Sequence, residues 1–479
     1  MLFTDSVFLL RFLPVALAFF FIALVVTPRR WREGPRRFTL PNAVLLAGSV
    51  VFLASGAWYF IQLIGVAIVF NYLAALAIGW CRRNRAAPRT NLLPEALLTF
   101  AVTGNVVLLA VCRYAIALPA DLTNQSFAVP QLLAPFGLIF IVCHAISYVV
   151  DVARGTTPPQ VSPIRASLYL LFFPLLCAGP LVRYREMGPQ LVQRRVTLAA
   201  FAYGVRRWLI GFCKVSLIAQ TLAGPADVVF AMSPDDLGTL QAWLGAICFS
   251  LQIYFDLSGY TDMAIGFGRM FGFRLFENFR WPYGAYTLTE FWRRWNISLF
   301  DWCRGYLGLS ITENSESLMW RAGRIVVLFL CVGMWHGPGL NLLVWGGMHG
   351  LVVALEQVGL GSHLVRLPRV FRHLYLLVAV LVLWVVFRSE SLVAALVMIE
   401  AMAGLRGPAE PLPLLLTPLH WTALVAAVLT AAPLRPGFSR WLVTVDALTT
   451  STLILVSTSC VFVWSRLTNT LFALTGRQR

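Results

Sequence analysis

Charge is what this sequence has least of. Only 12% of its 479 residues are Asp, Glu, Lys or Arg, while 59% are hydrophobic and the mean hydropathy is +0.75. A soluble globular protein carries about 25% charged residues. Half that share, with long uncharged apolar runs continuing towards the C-terminus, excludes a large soluble domain and predicts an integral membrane protein. Lysine is nearly absent: Lys214 is the sole one, so arginine carries the net charge of +17. In an apolar chain that excess reads as the basic residues of cytoplasmic loops, and no nucleic-acid partner is expected. None of the nine cysteines forms a CxxC pair, and most sit in apolar runs. They read as small buried hydrophobes, not as a disulfide framework or a zinc site. Also missing are a G-x-S-x-G elbow, an HExxH pair and a phosphate-cradling glycine loop. The first apolar run has no small-residue cleavage site followed by a soluble body, so it reads as a retained span and not a signal peptide.

What is present is hydrophobic length. The run 7–26 ends in "TPRRWREGPRR", the strongest topology signal in the chain. Basic flanks lie on the cytoplasmic side, which puts the N-terminus outside. The stretch 40–80 ends in a second basic cluster, "CRRNRAAPR", and so must cross an even number of times. One crossing takes about 20 residues, so a two-helix hairpin fits. Further segments fall near 92–115, 132–150, 166–181, 198–222, 240–255, 325–335, 340–355, 374–386, 392–403, 421–432 and 450–464. The predicted fold is all-α, one polytopic membrane bundle of about 11–14 hydrophobic segments. Several segments are too short to cross, those on either side of Gly337–Gly339 most clearly, and are predicted to be broken or re-entrant.

Polar residues are costly inside a membrane and point to function. They concentrate between residues 251 and 300, where Asp256, Asp262, Arg269, Arg274, Glu277, Arg280, Glu290, Arg293 and Arg294 interleave with small residues. Asp256 and Arg269 suit a buried pair holding the bundle together. In "FWRRWNISLF", 291–300, Trp292, Arg293 and Arg294 suit an interfacial anchor, with rings at headgroup depth and arginines snorkelling outward. Asn296 has no part in such an anchor. Forty residues later, "GMWHGPGLNLLVWGGMHG", 333–350, holds two of the six histidines. His336 and His349 stand 13 residues apart with Pro338 between them and no Cys/His/Asp cluster around them, so no metal site is expected. His349 reads as a core imidazole satisfied by a backbone carbonyl. His336, after Trp335 and before the Gly-Pro-Gly break, reads as an imidazole facing a cavity. Histidine is the commonest general base, and an asparagine nearby supplies an uncharged orienting group. A base with an orienter and no nucleophile suits direct acyl transfer to a hydroxyl.

Four stretches carry a resemblance: "MLFTDSVFLLRFLP", "AISYVVDVARG" (145–155), "AGPLVRY" (178–184), and the block from "QIYFDLSGYTDMAIGFGRMFGFRLFENF" through "FWRRWNISL" to "GMWHG". At these residues the chain resembles the membrane-bound O-acyltransferases, in their bacterial, alginate O-acetylase-like branch. The resemblance implies a single domain over 1–479, with a motif core at about 130–350 and C-terminal helices at 370–475. It implies a bundle with a central tunnel through a thinned membrane region, His336 at its floor and Asn296 facing the same tunnel. Asn296 stands where that branch usually has histidine, and "YLGLSITENSESLMW" (306–320) replaces a segment its close relatives usually share. The implied activity is acyl transfer with acetyl-CoA as donor and no bound cofactor. The implied acceptor is a secreted or cell-surface polysaccharide, reached directly or through a periplasmic SGNH-type acyltransferase partner. The implied location is the bacterial inner membrane, with the N-terminus periplasmic. Trp292, Trp335, Arg293, Arg294, Asp256 and Tyr260 are the accompanying candidates for substrate or donor binding. The alternatives are a D-alanyl transferase of the teichoic-acid type and, from another class, a secondary transporter built on broken helices.

Overall fold

A chain this poor in polar side chains can lie in lipid only if each segment pairs its own N–H and C=O groups, and the α-helix does so. The computed structural model of the protein describes residues 2–28, 31, 34, 36–83, 92–114, 137–307, 317–406 and 416–431. The predicted span at 450–464, most of both basic clusters and 308–316 of the replaced segment lie outside the described residues. The helices are α1 (Leu13–Val26), α2 (Thr39–Ala57), α3 (Ile61–Arg83), α4 (Leu93–Tyr114), α5 (Leu138–Arg154), α6 (Pro163–Leu171), α7 (Phe173–Leu176), α8 (Tyr184–Val192), α9 (Leu198–Cys213) and α10 (Gln220–Phe230). They continue with α11 (Thr239–Met270), α12 (Leu288–Trp292), α13 (Ile297–Tyr306), α14 (Leu318–His336), α15 (Leu340–Leu355), α16 (Gly361–Arg366), α17 (Arg369–Arg388), α18 (Leu392–Met402) and α19 (Pro418–Thr430). No strand occurs among the described residues. Nine helical runs among them are long and apolar enough to cross a membrane.

The hairpin expected over 40–80 is present as α2 and α3. Three other expectations are corrected. The segments around Gly337–Gly339 are not short: α14 has 19 residues, and α15 runs on through a π-turn and α16 to Arg366, 27 residues in all. Charged residues at the inner ends hid this length. Arg321 lies in the first turn of α14 and donates one bond to Gln357 at 3.2 Å, so its stem extends the apolar helix while its head reaches a polar partner. The segment at 240–255 is likewise only half of α11, which spans 32 residues. The broken elements lie elsewhere: α6 and α7, at 9 and 4 residues, and α12 and α13, at 5 and 10, cannot cross. Thirdly, Asp256 and Arg269 do not pair. They lie 13 residues apart on one helix, about 20 Å along its axis.

The charge actually answered on α11 is Asp262. Its Oδ1 accepts from Arg207 Nε and Nη2 at 3.0 and 2.6 Å, and its Oδ2 from Lys214 Nζ at 2.7 Å. Arg207 also reaches Glu277 at 2.5 Å. Arg207 and Lys214 stand seven residues apart, on one face of the α9–α10 run, with a π-turn beginning at Lys214. The same face carries Gly204 and Gly211, which meet Gly266 and Gly259 of α11. A Cβ on Gly211 would lie 2.4 Å from Gly259 O, and one on Gly204 would lie 2.6 Å from Gly266 O. Small residues thus bring the two antiparallel backbones into contact, and the ion pairs lock their register. All eight cysteines in the described region are free and six are buried, as expected for small core residues.

Gly211→Ala should therefore lower stability by about 2–3 kcal/mol, read as a fall in the thermal unfolding midpoint in detergent. Gly65→Ala in α3, where nothing lies within 4 Å of the added methyl, should leave the midpoint unchanged or raise it.

Candidate active site

Helix α11 ends at Met270, with Gly272 in the left-handed region (φ 85°), and the chain then runs without regular helix to α12. Thr287 caps α12 by accepting from Glu290 N at 3.1 Å. The turn after α12 folds back on the segment before it: Arg280 N donates to Arg294 O at 2.9 Å and Ile297 N to Asn278 O at 3.0 Å. Asn296 sits at the tip of this fold, starting α13 with φ 44° and ψ 52°. Asparagine is one of the few residues that adopt this left-handed conformation readily. Its Oδ1 accepts from Asn278 Nδ2 at 3.0 Å, and Asn278 Oδ1 in turn accepts from Ser298 N and Oγ, both at 2.9 Å. Asn296 therefore has a structural role that its sequence position did not reveal.

The anchor reading of "FWRRW" fails for its tryptophans. Trp292 and Trp295 are 5% and 3% exposed and face the core. The rings of Trp295 and Trp384 on α17 lie 5.1 Å apart. Trp292 Nε1 donates to His349 Nδ1 at 3.1 Å, and its ring lies 6.0 Å from Trp345. Arg294 pairs with Glu290 at 2.5 Å, while Arg293 is exposed.

His336 is the last residue of α14 and is partly buried. Its ring meets Trp345 and Phe387 edge-on, at 5.4 and 5.1 Å. Trp345 also contacts His349 (4.9 Å), Trp384 (5.8 Å) and Phe387 (5.0 Å). The two motif stretches thus meet on one aromatic wall, to which α12, α14, α15 and α17 all contribute. His349 is not the carbonyl-satisfied imidazole expected. An indole N–H only donates, so Nδ1 is the acceptor, the ring is neutral and its proton is on Nε2. That atom meets no acceptor among the described residues.

Trp335 stands on α14 with its ring edge-on to Phe140 at 6.4 Å. Asp256 is half-buried on α11. Tyr260, also on α11, packs on Phe3 at 6.1 Å, in the cluster formed with the N-terminal segment, and is not brought to the wall around His336. Sequence reasoning missed Trp345, Trp384 and Phe387. The last two lie on a helix whose composition alone carries no sign of a site. Behind the wall is an apolar cavity of about 390 Å³, lined by Ser250, Tyr283, His373 and Leu377 among others; neither His336 nor Asn296 lines it. The Tyr283 OH donates to Ser250 O at 2.7 Å.

Residues 130–397 match the sequence profile of the membrane-bound O-acyltransferase family. The chain is 37% identical over 410 residues to a probable alginate O-acetylase of Azotobacter vinelandii, covering 84% of this chain and 78% of that protein. It is 30% identical over 447 residues to a peptidoglycan O-acetyltransferase of Helicobacter pylori, covering 85% and 80%. It is 26% identical over 239 residues to a teichoic acid D-alanyltransferase of Bacillus subtilis, covering 47% and 59%. The chain belongs to the membrane-bound O-acyltransferase family. It is a multi-pass membrane acyltransferase, which sets the transporter reading aside. The candidate site holds a partly buried imidazole at a helix end, with two aromatic rings packed edge-on against it.

The left-handed backbone at position 296 separates two roles. Asn296→Gly keeps the conformation and removes the amide, whereas Asn296→Ala removes the amide and strains the backbone. If the amide acts in transfer, both variants should lose acyl transfer by about tenfold or more, a loss the size of one hydrogen bond to a reacting group. A backbone role alone would show as activity retained in Asn296→Gly, measured as initial rates in membranes with equal protein.

Proposed function

We propose that the protein moves acetyl from cytoplasmic acetyl-CoA to hydroxyls of a secreted or cell-surface polysaccharide. Transfer is direct or through a periplasmic SGNH-type acyltransferase partner. The site lies in a tunnel of the bundle, in a bacterial inner membrane, with the N-terminus periplasmic. The observation that carries this reading is the similarity to alginate and peptidoglycan O-acetylating proteins over more than four-fifths of the chain. In support, the partly buried His336 stands on the same aromatic wall as the turn bearing Asn296.

His336 takes the proton of the acceptor hydroxyl. The oxygen attacks the thioester carbonyl, the C–S bond breaks, and the departing thiolate receives the proton from the imidazolium. Asn296 orients the reacting groups, and Arg293, exposed on the turn, is available to donor phosphates. Base catalysis supplies about 10²–10⁴-fold, so positioning supplies the rest. No cofactor enters the scheme. D-alanyl transfer to teichoic acid is the second reading, supported by the match to a D-alanyltransferase over about half the chain.

His336→Ala should lower transfer about 10²–10⁴-fold with unchanged membrane insertion. The assay is base-labile, O-linked label on polymer after incubating membranes with labelled acetyl-CoA. Full activity in His336→Ala would remove the base assignment. Label arriving only from a D-alanyl-loaded carrier protein would favour the second reading.

A further inference from the structure

Two stretches far apart in sequence, α12 and the end of α14, are fixed to one face of α15. Trp345, His349 and Glu356 follow one another at intervals of four and seven residues, so they share that face. Trp345 holds the edge of the His336 ring. His349 accepts from Trp292, the last residue of α12. Glu356, 7% exposed, accepts from Leu288 N and Thr289 N at 2.8 Å each, from Thr289 Oγ1 at 2.5 Å and from Tyr375 OH at 3.0 Å. Helix α12 thus lies antiparallel on α15, its first turn on Glu356 and its last on His349.

We propose that Glu356 and His349 are positioning residues of the transfer reaction. They form a two-point clamp on α12 that sets where Asn296, four residues beyond Trp292, stands relative to His336. This inference rests on the acetyl-transfer reading. A five-residue helix is far too short to hold itself together, and its first N–H groups have no partner within it. A buried carboxylate supplies acceptors for two of those N–H groups at once, with the stronger bonds that an ionised acceptor makes. The second point bears on α12 through the Trp292 indole, a bond His349 would lose by taking a proton on Nδ1, while its ring also packs on Trp345. Nor is the clamp what holds α14 to α15. Those helices touch through glycines: a Cβ on Gly346 would lie 2.3 Å from Phe329 O, and one on Gly333 would lie 2.5 Å from Leu342 O. Loss of the clamp therefore frees α12 and leaves the bundle assembled.

Hydrogen exchange of the full-length protein in detergent reads the clamp without any substrate. In Glu356→Gln, amides of the 286–296 peptide should exchange at least tenfold faster, while peptides of α9 and α11 exchange as in the parent. In acetyl-transfer kinetics the same variant should lose at least tenfold in kcat, with KM for acetyl-CoA within twofold. Trp292→Phe and His349→Phe should each cause one common loss, and the double variant no more than either, since His349 bears on α12 through Trp292. Three results would overturn the clamp: unchanged exchange at 286–296, faster exchange spreading to α9 and α11, or losses that multiply in the double variant. A parent protein that transfers no acetyl would instead overturn the reaction reading, and the exchange result would still decide the clamp.

Discussion

The answered carboxylate of Asp262 is the constraint from which the rest of the bundle follows. A 32-residue helix carrying an ionised group well inside its C-terminal half can stay in an apolar medium only if that charge is paired and hydrogen-bonded. Arg207 and Lys214 do this from a neighbouring helix, and they reach because Gly204 and Gly211 let that helix lie in backbone contact with α11. Removing one partner of such a cluster leaves a buried charge uncompensated, so the glycines and the ion pairs are kept together or lost together. With α11 fixed, its faces become templates. Tyr254 packs against Trp295 at 6.1 Å, and Ser250 binds Tyr283 at 2.8 Å, so the segment after α11 returns along the helix it has just left.

That returning segment has the harder physical problem. Between Met270 and Ile297 the backbone is mostly not helical, and in a membrane protein its polar groups must be met by protein. Two parts of it are answered from different places: Glu356 on the π-turn after α15 for the start of α12, and Asn278 for the turn at Asn296; just past the segment, Ser298 accepts from Leu181 N at 2.9 Å. The last bond ties the "AGPLVRY" stretch to the tip of the fold. Part of the clustering of polar residues that marks this region in the sequence therefore serves irregular backbone: Glu290 accepts from Tyr286 N at 2.9 Å and Arg294 donates to Trp281 O at 3.4 Å.

Much of the fold was legible because hydrophobic length is a local property. The 40–80 hairpin follows from an apolar run closed by a basic cluster, and the start of α9 from the apolar segment that opens at 198. The misjudged lengths share one cause. Asp256 and Asp262 in α11, Arg321 and Arg324 in α14 and Glu356 after α15 interrupt apolar runs, and Asp262, Arg321 and Glu356 are each bonded to a residue at least 36 positions away in the chain. Local reading counts the charge and cannot see the partner. The site divides the same way. The link between "FWRRWN" and "MWHG" was legible from the family pattern, whereas Trp384 and Phe387 sit at i and i+3 after a long aliphatic run of α17. Their meaning appears only when Trp345 packs on both.

Position 296 shows how fold and chemistry constrain one residue together. Its backbone is left-handed, a conformation that asparagine and histidine enter far more readily than branched or bulky side chains. Those are also the two residues that the family resemblance places there, one able to titrate and one not. With asparagine at this tip, proton transfer through a second imidazole at 296 is closed to this chain. The neighbouring ring cannot replace it, because His349 holds the Trp292 indole on Nδ1 and would release α12 by taking a proton there. On the proposed reading, His336 must therefore both accept the hydroxyl proton and return it to the thiolate. Donor and acceptor must then approach the same imidazole in turn, and that ring must be held still between the two steps. The edge-on contacts of Trp345 and Phe387 supply that restraint, from helices whose own positions trace back through α11 to Asp262.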